Sequence, residues 1–419
     1  MKKILSIALI AALALTSVFA VSFTGNAALN LGYDLDTKDY GFKNVNGTTL
    51  KFGFELGSGN GESAGEKDLR AEIAGEFKVE FKEDKFASVT EKDKSFALPA
   101  ITTLKLTKAN ILYKDLVTVG ILNAGESVNY AASYYVNDDG APESDVIKGL
   151  KDVHGFTVKA YGVTGGFGFN GNAGRGEYAV LAHAALDDKT VAEGLTVAAG
   201  AAALLKNDTN TFNANAKVAY AKDLLAASAA VDFQVAGENV LLESAVAASY
   251  DFVKFNAYYF TDDKFENNNL DAKIAATKTI DIVTLTGSFE ANNIFDQTAH
   301  YAREFKPAIE ASTTVDAFTF GAKASYAIVA KKLATEASVK YSNDFLTAKA
   351  ALNVNTTIET EDSTQLYVSA SVESKALIDG ATVSLAYAPH KDANVVDENL
   401  LKADTTKLGK ITASCKIEF

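Results

Sequence analysis

The chain has 419 residues, a formal net charge of −13, one cysteine, one methionine, no tryptophan and four prolines. An acidic surface repels the phosphates that nucleic-acid-binding proteins neutralise with lysine and arginine, so a nucleic-acid partner is excluded. Cys415 is the single thiol, which rules out a secreted scaffold stapled by internal disulfides. Length alone would fit two or three soluble domains, but all-β barrels of this size fold as one unit.

Residues 1–20 open with Lys2 and Lys3, continue with an apolar run from 4 to about 15 and end in Val18-Phe19-Ala20, the pattern of a cleaved signal peptide. The run falls short of the roughly 20 residues that span a bilayer, and no cysteine follows it to carry a lipid. The mature chain is therefore expected to be exported and to occupy 21–419. From Val21 onward side chains alternate: Val21, Phe23, Ala27, Leu29, Leu31 and Tyr33 are apolar, while Ser22, Thr24, Asn26, Asn30 and Asp34 are polar. A period of two places the two sets on opposite faces of a strand, which a helix cannot do. The same alternation runs from 69 to 81, and further strands are predicted near 49–57, 100–113, 116–122, 155–163, 176–186, 194–205 and 211–221.

Residues 123–151 do not resolve into strands. A connection of this length is either functional or a surface loop. Folded inward, it would bring Asp138, Asp139, Glu143 and Asp145 to a pore constriction; its Asp, Gly, Pro and Ser content is equally that of an ordinary exposed loop. Beyond it, short acidic turns recur at Asp223, Asp251, Asp281, Asp316, Asp344 and Asp379, at intervals of about 30 residues, each interval holding two strands of about ten residues. Longer polar stretches at 261–269, 291–305, 358–364 and 389–408 lie between the turns, so tight turns on one side are predicted to alternate with longer loops on the other. Tyr113, Tyr220, Tyr250, Phe252, Phe318, Tyr341, Phe345 and Tyr387 fall at strand ends, the headgroup level of a membrane barrel.

The last strand alternates Ile411, Ala413, Cys415, Ile417 and Phe419 with Thr412, Ser414, Lys416 and Glu418. One set would face lipid and the other would face the interior, as would Ser228, Asp232 and Gln234, or Lys349, Asn353 and Asn355, on earlier strands. These side chains read as a set of small, neutral, hydrogen-bonding groups around water. The sum is an all-β fold, a transmembrane antiparallel β-barrel of about 20 strands, with 18 to 22 accepted. A barrel this wide is not filled by its own side chains.

No catalytic constellation accompanies these strands. His154, His183, His300 and His390 are scattered and read as surface residues. Asp34-x-Asp36 and Asp138-Asp139-Gly140 lack the rest of a calcium loop and read as solvated loop acids. The glycine-rich stretch 162–176 is followed by no helix and makes a poor phosphate cradle. Neither an enzyme nor a cofactor is expected.

The opening MKKILSIALIAALALTSVFA, the Ala/Tyr/Asn-rich strands, the lack of tryptophan and the closing KIEF resemble spirochaetal (treponemal) major outer sheath proteins and related outer-membrane porins. That resemblance implies a pore-forming protein of the cell outer membrane, inserted by the barrel assembly machinery, which recognises the terminal strand at Ile411, Ala413, Cys415, Ile417 and Phe419. It also implies binding of host matrix proteins. Some members carry a separate amino-terminal region, from which alternation beginning at Val21 departs. Two functions follow as expectations: a weakly cation-preferring porin for small hydrophilic solutes, in outer-membrane lipid and trimeric like many porins, or a surface adhesin or structural sheath protein.

Overall fold

The computed structural model describes residues 20–36, 38, 40–42, 48–57, 69–81, 100–114, 116–131, 147, 149–172, 176–261, 264, 268–295, 303–358, 364–389 and 408–418. Among them there is no helix, and twenty-three strand segments form one sheet. In chain order these are β1 (Ala20–Asp34), β2 (Tyr40–Phe42), β3 (Thr48–Gly57), β4 (Leu69–Phe81), β5 (Ala100–Tyr113), β6 (Val117–Gly120), β7 (Gly155–Ala160) and β8 (Val163–Asn172). There follow β9 (Glu177–Ala192), β10 (Leu195–Lys206), β11 (Asn210–Lys222), β12 (Leu225–Ala236), β13 (Asn239–Tyr250), β14 (Val253–Thr261), β15 (Asn268–Ile280) and β16 (Val283–Asn292). The last are β17 (Glu304–Val315), β18 (Phe318–Ala327), β19 (Lys332–Ser342), β20 (Thr347–Thr357), β21 (Gln365–Ile378), β22 (Ala381–Ala388) and β23 (Lys410–Glu418).

From β3 onward each strand pairs antiparallel with its chain neighbour, and β23 then pairs antiparallel with β1 from Asn26↔Glu418 to Asp34↔Lys410. The sheet is closed. The other flank of β1 pairs with both β2, at Leu31↔Phe42, and β3, at Ala27↔Thr48, so these two segments share one place in the ring. The twenty-three segments thus make a ring of twenty-two strands among the described residues, an even number at the upper edge of the sequence expectation. Closure removes the free edge along the β1–β23 seam, as strands standing in hydrocarbon require; on the far flank of β5 only Asn110–Tyr113 pair with β6.

Alternation fixes the two faces. On β12, Leu225, Val231 and Phe233 are exposed, whereas Ala230, Asp232 and Gln234 are buried. An exposed apolar face beside a shielded polar one is the arrangement of a transmembrane barrel, with lipid outside and the lumen within. Ile417 is exposed on the outer face of β23, while Thr412, Ser414 and Lys416 share the inner face with Gly32 and Asp34 of β1. Phe419 and residues 1–19 of the signal peptide expected over 1–20 lie outside the described residues.

The turn register matches the sequence. Asp223, Asp251, Asp281 and Asp316 each take a left-handed φ between 51° and 54° at the first residue of a two-residue turn, which aspartate tolerates better than most residues. At β19–β20 the work falls to Asn343, whose Oδ1 accepts from the N–H groups of Phe345 and Leu346 at 3.0 and 2.8 Å. Outer-face rings gather at this end, with Phe318 and Tyr341 4.9 Å apart. The alternation of tight turns with long loops needs correction, however. On the loop side β12–β13 closes through Gly237 and Glu238 alone, and β18–β19 through 328–331; on the turn side β3–β4 is joined by 58–68. Hairpins require only that the strand ends meet, so loop length is free on either side.

The pair Asp34-x-Asp36 is not a solvated loop motif. Asp34 is buried, and Asp36 accepts from the Leu408 and Gly409 N–H groups at 2.7 and 3.1 Å. Lys410 Nζ lies 3.8 Å from Asp34. These acids clamp the loop-side end of the β1–β23 seam. Because β23 closes the ring, Ile417→Asp should lower the yield of assembled barrel, by about 1 kcal/mol or less, since Ile417 pairs with Ala381 beside the β21–β22 turn, near the edge of the hydrocarbon. Comparing the gel mobility of boiled and unboiled protein measures that yield.

Candidate functional site: the lumen and its inward segment

After Gly120 the chain leaves the wall, and the described parts of the β6–β7 connection lie against the inner face of β8 to β14. Its two limbs hold each other: Ala124 N–H donates to Val153 O at 2.8 Å, Ser127 N–H to Leu150 O at 3.0 Å, and Leu150 N–H to Ser127 Oγ at 2.8 Å. Ala124, Leu150 and Val153 are buried against Leu181 of β9 and Ala202 and Leu204 of β10. Further on, Tyr130 and Ala131 pack on Ala230, Ala245, Tyr258 and Phe260 of β12 to β14.

The glycine-rich stretch is the seat of this segment. It forms β8, a strand that the sequence reading did not separate, because glycine gives no apolar alternation to read. A Cβ on Gly166 would collide with Ala124 O and His183 Nε2, and one on Gly168 would meet Ala124 Cβ at 2.8 Å as well as His154 O. On β10, a Cβ on Gly200 would strike Val128. Glycine at these sites lets the segment lie directly on the wall. His183, read from the sequence as a surface residue, is buried here, with Nε2 directed at the Ala124 carbonyl, which can only accept.

Wall carboxylates complete the attachment. Asp232 accepts from Tyr130 N–H at 2.9 Å, from Ala131 N–H at 2.5 Å and from Asn215 Nδ2 at 2.6 Å. Glu243 accepts from Ile147 N–H at 2.7 Å. Asp271 serves another connection, taking Asn293 N–H at 2.7 Å. Beside the segment, Lys217 Nζ bonds Asp188 at 2.9 Å and lies 5.9 Å from the Tyr130 ring. Burial, reinforced by the Asp188 carboxylate, raises the Tyr130 phenol above its ordinary pKa and keeps it neutral.

The lumen is more charged than a set of small neutral groups. Asp232 and Gln234 stand in it as expected, but so do ion pairs such as Lys159–Asp187 at 2.7 Å and Lys273–Glu290 at 3.2 Å. Opposite the segment, Glu310, Lys323 and Glu336 are directly paired across β17 to β19. Period-two reading locates inward positions but does not distinguish charged from neutral lining. The acids proposed for a constriction, Asp138, Asp139, Glu143 and Asp145, lie outside the described residues; they belong to the stretch joining Ala131 to Ile147.

No protein-family model matches this chain, and no curated protein matches it. Among solved structures it is similar to the P pilus usher (PapC) translocation pore, at 8% identity, covering 95% of this chain and 98% of that one with a TM-score of 0.39. It is similar also to the siderophore receptor PirA from Acinetobacter baumannii, at 8% identity, 95% and 80% coverage and a TM-score of 0.49. A mutant Rh. blastica porin matches at 11% identity, 95% and 100% coverage and a TM-score of 0.31. The fold assignment rests on the closed sheet of this chain itself.

Removing the seat should loosen the segment. Gly166→Ala forces a Cβ into backbone, and overpacking of this kind costs about 1–3 kcal/mol; Gly287→Ala, where a Cβ meets nothing within 4 Å, is the matched control. A lower midpoint for thermal loss of the compact gel form is expected for Gly166→Ala only.

Proposed function

We propose that the protein is an outer-membrane porin, a channel through which small hydrophilic solutes diffuse passively. The observation that carries this reading is the closed ring of twenty-two strands with a polar and charged inner face. Barrels of 16 to 18 strands already leave an aqueous channel, and wider ones hold open space unless something plugs them. Here the described parts of the inward segment lie on the arc from β8 to β14, and lysines paired with acids line the wall from β15 to β19. The lining therefore supports a narrowed but hydrated passage. Insertion by the barrel assembly machinery, a trimeric state and export through a cleaved signal peptide accompany this reading, and so does the likeness to treponemal outer sheath proteins.

Weak cation preference is part of the proposal. Exposed aspartates at 223, 251, 281, 316, 344 and 379 mark the six turn-side connections from β11 to β22, about half of the mouth. Fixed charge raises the local cation concentration within roughly 10 Å at 0.1 M salt, whereas the lumenal acids Asp232, Glu243, Glu290 and Glu310 face lysines or N–H donors. In planar bilayers the purified protein should form discrete channels, and its reversal potential in a KCl gradient should indicate K⁺ over Cl⁻. Chloride preference contradicts the selectivity reading. Absence of conductance from a correctly folded barrel favours the adhesin or structural sheath reading instead.

Deleting residues 138–145 tests the constriction separately. A larger single-channel conductance and a weaker cation preference are expected; unchanged values place Asp138, Asp139, Glu143 and Asp145 away from the pore.

A further inference from the structure

Asp232 and Glu243 are direct partners across β12 and β13, both fully buried and both facing the lumen. Like charges directly opposite each other weaken a strand pair, and a buried carboxylate is tolerated only with strong donors. The inward segment brings such donors. The first limb delivers the N–H groups of Tyr130 and Ala131 to Asp232, and the returning limb delivers that of Ile147 to Glu243. In the sequence, the acidic stretch 132–146 joins these two attachments. A solvated coil could bond water at those amides, so nothing in the segment itself requires the carboxylates. Their placement is explained by the need to fix both limbs at one point of the wall.

We infer that Asp232 and Glu243 form a latch that pins the base of the inward segment to the wall and thereby sets the conductance of the pore. They are positioning residues, acting through the backbone of 130–131 and 147. The inference rests on the channel reading above. Val and Met come near the volumes of Asp and Glu but accept no hydrogen bond, so D232V/E243M removes the acceptors and disables the latch with little change in volume.

The test compares wild type, D232V/E243M and D271V as full mature chains in planar bilayers. D271V removes another buried lumenal carboxylate, one that accepts from Asn293 N–H. D232V/E243M is expected to show higher and noisier single-channel conductance, with D271V like wild type. In a C415S background, A131C should resist a methanethiosulfonate reagent while the carboxylates are present, since Ala131 is fully buried, and react once D232V/E243M is added. Unchanged conductance and unchanged protection in an assembled D232V/E243M barrel overturn the latch, as does an equal rise in D271V. If the double variant does not assemble, E243M alone, which takes the acceptor from Ile147 N–H only, is measured, and unchanged conductance overturns the proposal in the same way. A wild-type barrel that conducts nothing refutes the channel reading rather than the latch.

Discussion

The antiparallel pairing of β1 with β23 is the constraint on which the rest depends. Strands in hydrocarbon have no water to satisfy their N–H and C=O groups, so the sheet either closes or exposes an edge that lipid cannot solvate. The nine residue pairs from Asn26↔Glu418 to Asp34↔Lys410 remove that edge, and Asp34 and Asp36 lock the loop-side end of the seam. Once the ring is closed its strand number fixes its width, and its alternation decides which side chains meet lipid and which meet water.

That width creates the problem that the inward segment answers. Twenty-two strands enclose more space than wall side chains fill. The segment lies on the wall through glycines at 166, 168 and 200, through an apolar cluster at its base and through the carboxylates of β12 and β13. Apolar contacts and charge-assisted bonds reinforce each other here, because the contacts exclude water from carboxylates that would otherwise bond it. The outcome is a lumen whose wall from β8 to β14 is covered by the described parts of the segment and carries, further round, lysines and acids in cross-strand register.

Much of this was legible in the sequence because a strand between lipid and water must alternate. The six acidic turns from 223 to 379 and the strands between them fall where the pattern places them. Where alternation fails, so did the reading. β8 is hidden because Gly165, Gly166, Gly168 and Gly171 carry no side chain to alternate. The limbs around 121–131 and 149–154 are coil, whose only local signal is absence of period. The role of His183 depends on Ala124, 59 residues away, and that of Asp232 on Tyr130, 102 residues away, distances that single-sequence patterns do not span. Asp34 and Asp36 were misread for the same reason, their partners lying at the far end of the chain.

Liposome swelling with uncharged sugars of graded size tests the central claim most directly, since it reads a water-filled lumen independently of charge. The account predicts rapid swelling with small sugars, falling as the solute approaches the width left beside the inward segment. An assembled barrel that admits none of them, not even the smallest, would contradict it.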